Sequence, residues 1–155
     1  MGETLRKRLL MNRSRGPAHE AVLNLLVAAG QLRERLDTLC AKHDITNGQY
    51  NVLRILRGAQ PDGYARCDIA RRMIERAPDV TRLIDRLEAR GFVERDRSNE
   101  DRRRSVTRIT VAGLELLERM QAEMETIDRT IDRRLSEAEM LELSRLLEKM
   151  YASED

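Results

Sequence analysis

Arginines recur through residues 79–113, and arginine is the side chain best suited to binding phosphates and the edges of bases. The segment reads DVTRLIDRLEARGFVERDRSNEDRRRSVTRITVAG. Its first third carries apolar residues at helical spacing, Val80, Leu83, Ile84 and Leu87. This spacing predicts an amphipathic helix that stops at Gly91. Two strand-like runs, Phe92 to Arg95 and Ser105 to Thr110, then predict a β-hairpin.

The loop between the two strands is strongly basic. Its charged candidates for DNA binding are Arg97, Asp101, Arg102, Arg103 and Arg104. A helix followed by a hairpin with a basic tip is the arrangement of a winged helix-turn-helix. In that arrangement the helix suits a major groove, and an arginine of the hairpin suits the narrower minor groove. Adjacent arginines also repel one another unless a polyanion is near, which favours DNA as the partner.

Among these loop residues, Arg103 is the main candidate for the minor groove, with Asp101 orienting its guanidinium. The alternative for Arg103 is a solvated charge in a polar loop. Arg102 and Arg104 are phosphate contacts or simply exposed charges, and Arg97 extends the same basic surface.

On the predicted helix, Thr81, Arg82 and Arg86 lie on the side opposite the apolar stripe. We expect Thr81 and Arg82 to touch DNA. Arg86 suits DNA contact and ion pairing equally, because Asp85 can pair with either arginine along the helix.

Two residues begin this helix, Pro78 and Asp79, and they either face the groove or only start the helix. Pro78 suits the first helical position. A carboxylate at Asp79 is unfavourable near phosphates unless it reads the amino group of a cytosine, so Asp79 is the weaker candidate.

Composition limits the class of protein. A chain of 155 residues can form one domain with a real core. There is no run of about 18 apolar residues, and the basic N-terminus leads into no apolar stretch, so we expect neither a membrane span nor a signal peptide. We therefore expect a cytoplasmic protein. The net charge of +2 is small for a nucleic-acid binder, but a local basic patch matters more than the sum.

Helix signals surround the arginine-rich segment. A short helix is predicted over residues 3–11 and a longer one from His19 to about Lys42, after a break that ends at Pro17. Thr46 with Gln49 is a capping box, and it begins a helix that ends at Gly58.

A short helix with Ile69, Ala70 and Met73 turned inward is predicted from Asp68 to Ile74. Together with the helix that follows, it has the helix-turn-helix arrangement.

Two further helices follow the hairpin, capped by Thr110 and by Ser136 with Glu139. Their apolar residues alternate three and four apart, and the outer helices are too long and too apolar for so small a core to cover. We therefore predict a homodimer. The predicted fold class is mainly α with a small β-wing: a winged helix-turn-helix with N- and C-terminal dimerisation helices.

The residues of this segment resemble the MarR family of bacterial transcription regulators. The wing pattern of that family appears here as Asp101, Arg103, Ile109, Thr110 and Gly113. The stretches Val80 to Glu88 and Arg90 to Arg95 are similar to the recognition helix of the family and its exit. One departure is Ala65, which stands where a Ser or Thr cap precedes the third helix in the family.

This resemblance implies a single MarR-like domain over residues 1–155. The dimerisation helices would span about 1–42 and 114–155, and the DNA-binding lobe about 45–113. It also implies a repressor that binds a palindromic operator in double-stranded DNA. Many members of the family release DNA when a small aromatic or phenolic molecule binds, and such a ligand shifts the population toward a form with low DNA affinity.

Other functions have weaker support in the sequence. Cys40 and Cys67 have no spacing for zinc and are read as buried, inert thiols rather than redox sensors. His19 and His43 are not placed for metal binding either, and we expect no cofactor. No nucleophile–base pair or phosphate-binding glycine loop is visible, which disfavours an enzyme. An activator, a regulator without a ligand and a protein-interaction module remain as alternatives.

Overall fold

Helix caps and apolar spacing account for most of the secondary structure. A computed structural model describes residues 2–11, 13–75, 79–96 and 105–152 of the chain. These residues fall into two compact units, Met1–Asp44 and Ile45–Asp155. None of the described helices has the length and apolar character that crossing a membrane requires.

In its described residues the first unit contains two helices, α1 (Glu3–Leu9) and α2 (Pro17–Lys42). Pro17 is the first residue of α2, where its missing N–H leaves no hydrogen bond unmade. The backbone N–H of Gly2 donates to Oε1 of Glu20 at 2.7 Å, which joins the start of α1 to α2. The long helix α2 has exposed apolar side chains, and its residue Leu26 is 63% exposed.

The second unit contains five helices and three short strands among its described residues. In chain order they are α3 (Asn47–Arg57), β1 (Tyr64–Ala65), α4 (Arg66–Arg72), α5 (Val80–Ala89), β2 (Val93–Arg95), β3 (Val106–Ile109), α6 (Val111–Asp132) and α7 (Glu137–Tyr151). The strands form an antiparallel sheet in the order β1-β3-β2. The largest fully buried side chains in this unit include Leu53, Leu56, Ile69, Ile84, Leu87 and Met120.

The predicted caps are confirmed. Gln49 N donates to Oγ1 of Thr46 at 3.2 Å, and Thr46 N donates to Oε1 of Gln49 at 2.8 Å. Ser136 and Glu139 form the same reciprocal pair at the start of α7. Thr110 begins α6, since its Oγ1 accepts a hydrogen bond from Gly113 N. Each cap satisfies backbone N–H groups that the helix itself leaves unpaired.

Several boundaries and faces differ from prediction. Helix α4 begins at Arg66, two residues early, because the chain leaves the unpredicted strand β1 directly into it; its N-cap Ala65 makes no side-chain cap. On α4, Ile69 is buried as expected, but Ala70 is exposed. The first residue of α5 is Val80, so the helix begins later than the predicted position 78.

Candidate nucleic-acid interface

Helix α5 has one buried face and one exposed polar face. Its buried residues are Val80, Ile84 and Leu87. Its exposed face carries the predicted DNA contacts Thr81, Arg82 and Arg86, together with Asp85. An α-helix fits the major groove of DNA, where side chains of these types can reach base edges and phosphates. The structure therefore brings the three helix residues expected at the interface onto one accessible surface.

Asp79 caps α5 and holds the first arginine of that surface. Its Oδ1 accepts a hydrogen bond from Arg82 N at 3.0 Å, and its Oδ2 lies 2.9 Å from Arg82 Nε. The side chain of Arg82 is 78% exposed. An ion pair this exposed contributes at most about 1 kcal/mol, so Arg82 can leave it for a phosphate or a base. Of the two interpretations of Asp79, the structure shows the helix cap.

Asp85, which the sequence allows to pair with Arg82 or Arg86, has a different partner. Asp85 Oδ1 lies 2.5 Å from Nη2 of Arg95, whose Nη1 lies 3.4 Å from Oε2 of Glu88. The alternative in which Asp85 forms an ion pair with Arg82 or Arg86 is therefore not found, because strand β2 brings a third arginine to it. In the part of the chain that the structure describes, Arg86 is exposed and forms no ion pair. Its charge remains available to a phosphate.

Asn51 contacts the chain just after α4. Its Oδ1 accepts a hydrogen bond from Ile74 N at 2.9 Å, which ties the chain leaving α4 to the middle of α3. Nearby, a Cβ at Gly48 would lie 3.3 Å from Leu83 Cδ1, so α3 and α5 approach closely there. Sequence reasoning missed Asn51, because nothing local marks a polar residue whose partner is the backbone of a distant turn.

The wing is the hairpin of β2 and β3. The structure describes these two strands, which we call the wing stem. Asp96 N donates to Val106 O at 2.9 Å, and Ser105 Oγ donates to Asp96 O at 3.1 Å. Arg108 Nη1 lies 3.4 Å from Oδ2 of the same Asp96. Residues 97–104, which we call the wing tip, connect the two strands and lie outside the described residues. The predicted site residues that fall there are Arg97, Asp101, Arg102, Arg103 and Arg104, and Pro78 is likewise outside the described part of the chain.

A junction joins the end of α5 to the start of α6 at the base of the wing. Thr110 Oγ1 donates to Gly91 O at 2.6 Å while it also accepts from Gly113 N at 3.2 Å. Gly91 has φ +72°, the left-handed conformation that glycine adopts without strain. Gly113 is buried, and a Cβ there would collide with Phe92 O and with Ile109 Cγ1. The junction therefore sets where the wing stem stands beside α5.

The two cysteines have contrasting surroundings. Cys40 is fully buried, and burial, with a smaller contribution from the charge of Asp37, raises the pKa of its thiol to about 11. Cys67 is exposed, so the prediction that it is buried was wrong. The reactive form of cysteine is the thiolate, so Cys40 is both shielded and protonated at neutral pH.

This contrast predicts the labelling pattern of the folded protein. Ellman's reagent should titrate Cys67 rapidly and Cys40 only after unfolding in guanidinium. A Cys67→Ser variant should then show no rapid labelling. Rapid labelling of that variant in the native state would contradict the burial of Cys40.

Comparisons with known proteins identify the family. The family model described as "MarR family" matches residues 45–105. A crystal structure of a MarR transcription factor from Planctomyces limnophilus is 36% identical to this chain. It covers 88% of this chain and 98% of its own, with a TM-score of 0.68.

Two further proteins are similar over most of the chain. The homoprotocatechuate degradative operon repressor of Escherichia coli is 29% identical over 133 residues, which cover 83% of this chain and 88% of the repressor. The crystal structure of a complex of S. aureus MepR with DNA is 28% identical, with a TM-score of 0.72. It covers 81% of this chain and 92% of the MepR chain.

Proposed function

Because the chain belongs to the MarR family of winged helix-turn-helix transcription regulators, we propose that it is a dimeric repressor of a palindromic operator. It is a DNA-binding regulator and not an enzyme. The proteins that it matches across most of its length are transcription regulators too. The observation that carries the proposal is the exposed polar face of α5 beside the stem of a wing with a basic tip. This pair of elements can occupy a major groove and the neighbouring minor groove at once.

The contacts fall into two classes by their chemistry. Thr81 and Arg82 lie in the first turn of α5, the end of a recognition helix that typically reaches base edges. Arg86 lies one turn further along and suits a phosphate. In the wing tip, Arg103 is assigned to the minor groove and its neighbours to phosphates, which fix the register of the protein on DNA.

Unpartnered apolar surface supports the dimer. Helix α7 has no buried residue, and among its apolar side chains Leu143 is 44% exposed and Met150 is 59% exposed. Leu26 of α2 and Leu10 after α1 are also exposed, by 63% and 91%. Exposed apolar side chains on helices are typical of protein–protein interfaces, and a second copy of the chain is the partner we assign to them.

A two-fold dimer has a consequence for the operator. Two copies of α5 related by a two-fold axis read the same bases on opposite strands, so the operator is a palindrome. Its half-sites should lie about one helical turn, or roughly 34 Å, apart, as in other helix-turn-helix dimers. Binding represses transcription if such a site overlaps a promoter. The E. coli relative, which is named a repressor, supports repression as the outcome.

A small aromatic or phenolic ligand is proposed as the signal. The E. coli relative is named for a degradative operon for homoprotocatechuate, which is a phenolic acid. A ligand that prefers the form of the dimer with low DNA affinity shifts the population away from the operator. Because the target is chromosomal DNA, the protein acts in the cytoplasm.

A titration with DNA tests the proposal as a whole. The probe is the intergenic duplex beside the protein's own gene, compared with a random duplex of equal length over a series of salt concentrations. We expect tight binding to the intergenic duplex that weakens steeply with salt, since phosphate contacts release counterions. Equal affinity for both duplexes at low salt would overturn the proposal that the protein recognises an operator.

One substitution tests the wing tip. Changing Arg103 to Ala should weaken operator binding about a hundredfold, because the dimer loses two groove contacts, each worth about 1–3 kcal/mol. Fluorescence anisotropy measures the affinity, and light scattering checks the oligomeric state.

The matched control is Arg57→Ala, which removes the same charge from an exposed position at the end of α3 in the same lobe. Its operator affinity should stay within about twofold of the wild type, as expected for a charge that makes no direct contact. An Arg103→Ala variant that binds like the control would remove Arg103 from the site.

A further inference from the structure

Arg95, the basic residue of β2 closest to the wing tip, contacts two carboxylates and is mostly shielded from solvent. Arg95 is the last residue of β2, and its side chain is only 24% exposed. It lies 2.5 Å from Asp85 and 3.4 Å from Glu88, both on α5. One guanidinium therefore spans two carboxylates spaced three residues apart on the recognition helix. We call this arrangement the Arg95 fork.

The fork connects the two elements that are assigned to DNA. On one side, Asp85 lies on the exposed face of α5 that also carries Arg82 and Arg86. On the other side, Arg95 pairs with Thr107 in the register of the hairpin, and the wing tip begins two residues after it. A change in the fork therefore alters the position of the wing stem relative to the recognition helix.

On the basis of the proposed function, we propose that Arg95 is a positioning residue for DNA recognition. It holds the wing stem against α5 so that helix and wing tip reach their two grooves at a fixed spacing. The planar guanidinium suits this task because it offers N–H groups in a rigid fork to both carboxylates. Contacts that bind DNA are effective only when a supporting set of residues fixes their geometry.

The charges give this proposal a sharp test. Asp85 lies on the face that should approach phosphates, so removing its negative charge should strengthen DNA binding if charge alone mattered. If the fork positions the wing, removing Asp85 should weaken specific binding instead. The two explanations predict opposite signs for the same substitution.

The experiment compares Arg95→Gln, Asp85→Ala and the double variant in titrations with the operator duplex and with a random duplex. We expect each single variant to bind the operator about tenfold more weakly. The random duplex should lose no more than about twofold, since non-specific binding depends on charge and not on spacing. The double variant should be no weaker than Arg95→Gln, because both substitutions break one interaction.

The matched control is Glu94→Ala, which removes an exposed negative charge from the neighbouring position on β2. Its operator affinity should equal or exceed that of the wild type. If Arg95→Gln fails to fold, Asp85→Ala still decides the matter, because the 51% exposure of Asp85 makes its truncation mild for the fold.

The outcomes separate the two levels of the proposal. Wild-type protein that prefers neither duplex would overturn the proposed function and this role with it. If the wild type prefers the operator and Asp85→Ala retains or increases this preference, the positioning role alone would be overturned. Equal losses on both duplexes for Arg95→Gln would also overturn it, since they would indicate a lost charge and not a lost spacing.

Discussion

Replacing Gly113 by alanine should lower the free energy of unfolding of the DNA-binding lobe by roughly 2–3 kcal/mol, the upper range for adding a methyl group to a packed site. The added Cβ would collide with the carbonyl oxygen of Phe92 and with Cγ1 of Ile109. The carbonyl is backbone and accepts a hydrogen bond from Thr110 N, so it cannot move without breaking that bond. Alanine gains up to about 1 kcal/mol of helix propensity over glycine, which offsets only part of the loss.

The effect should extend to DNA binding. Gly113, Thr110 and Gly91 form the junction that sets the wing stem beside α5, so relief of the collision moves the wing. We therefore expect Gly113→Ala to lose operator affinity even at temperatures where it stays folded. Guanidinium denaturation measures the stability, and anisotropy with the operator duplex measures the affinity.

Gly58→Ala is the control in the same unit. Gly58 closes α3 with φ −71°, and a Cβ there would meet only ordinary contacts, 3.5 Å from Ile55 O. This variant should differ from the wild type by no more than about 0.5 kcal/mol, as is usual for a surface substitution. If Gly113→Ala proved as stable as Gly58→Ala, the close approach of α6 to Phe92 would be wrong.

The proposed dimer leads to the second large expected effect. A double substitution, Leu143→Glu with Met150→Glu, should convert the protein to a monomer at micromolar concentration and abolish operator binding. Both side chains are apolar, lie on one side of α7 and are exposed in the single chain. In a dimer they would be buried, and each unpaired carboxylate taken out of water there costs several kcal/mol.

Loss of the dimer should affect DNA binding strongly, because the two half-sites are then bound independently instead of together. Sedimentation velocity measures the mass of the variant, and a titration measures its operator affinity, which should fall at least about a hundredfold. Far-ultraviolet circular dichroism checks that the helices persist.

The matched control adds one charge to the opposite side of the same helix. Ala138 is exposed near the start of α7, on the side where Glu142 and Arg145 form an ion pair at 2.7 Å. Ala138→Glu should remain a dimer and bind the operator normally. A Leu143→Glu, Met150→Glu protein that still sediments as a dimer would place the interface elsewhere.

Local rules were enough to predict most of the helices. The capping boxes at Thr46 and Ser136 were each visible as two residues three positions apart, and the cap at Thr110 as a single threonine before a run of helical apolar spacing. The same holds for the buried stripe of α5, where the period of the helix alone selects Val80, Ile84 and Leu87. These features depend on residues within one or two turns of each other, so the sequence displays them directly.

Contacts between distant residues were decided by the tertiary structure. The carboxylate of Asp85 had two arginines within one turn on its own helix, but it pairs with Arg95 of β2. Strand β1 went unpredicted because two residues, Tyr64 and Ala65, become a strand only where β3 lies beside them. The hydrogen bond from Ile74 N to Asn51 and the close approach at Gly113 likewise depend on partners brought together by folding.

The sequence alone therefore determined the elements and the residue types of the DNA-binding surface, because helical period, caps and runs of arginine are local properties. Only the tertiary structure decided which charges on that surface are free. Asp79 holds Arg82 in an exposed pair, whereas Asp85 and Glu88 hold Arg95 in a half-buried one. Free energies of competing ion pairs differ by little in water, so the choice among them is made by the geometry that packing imposes.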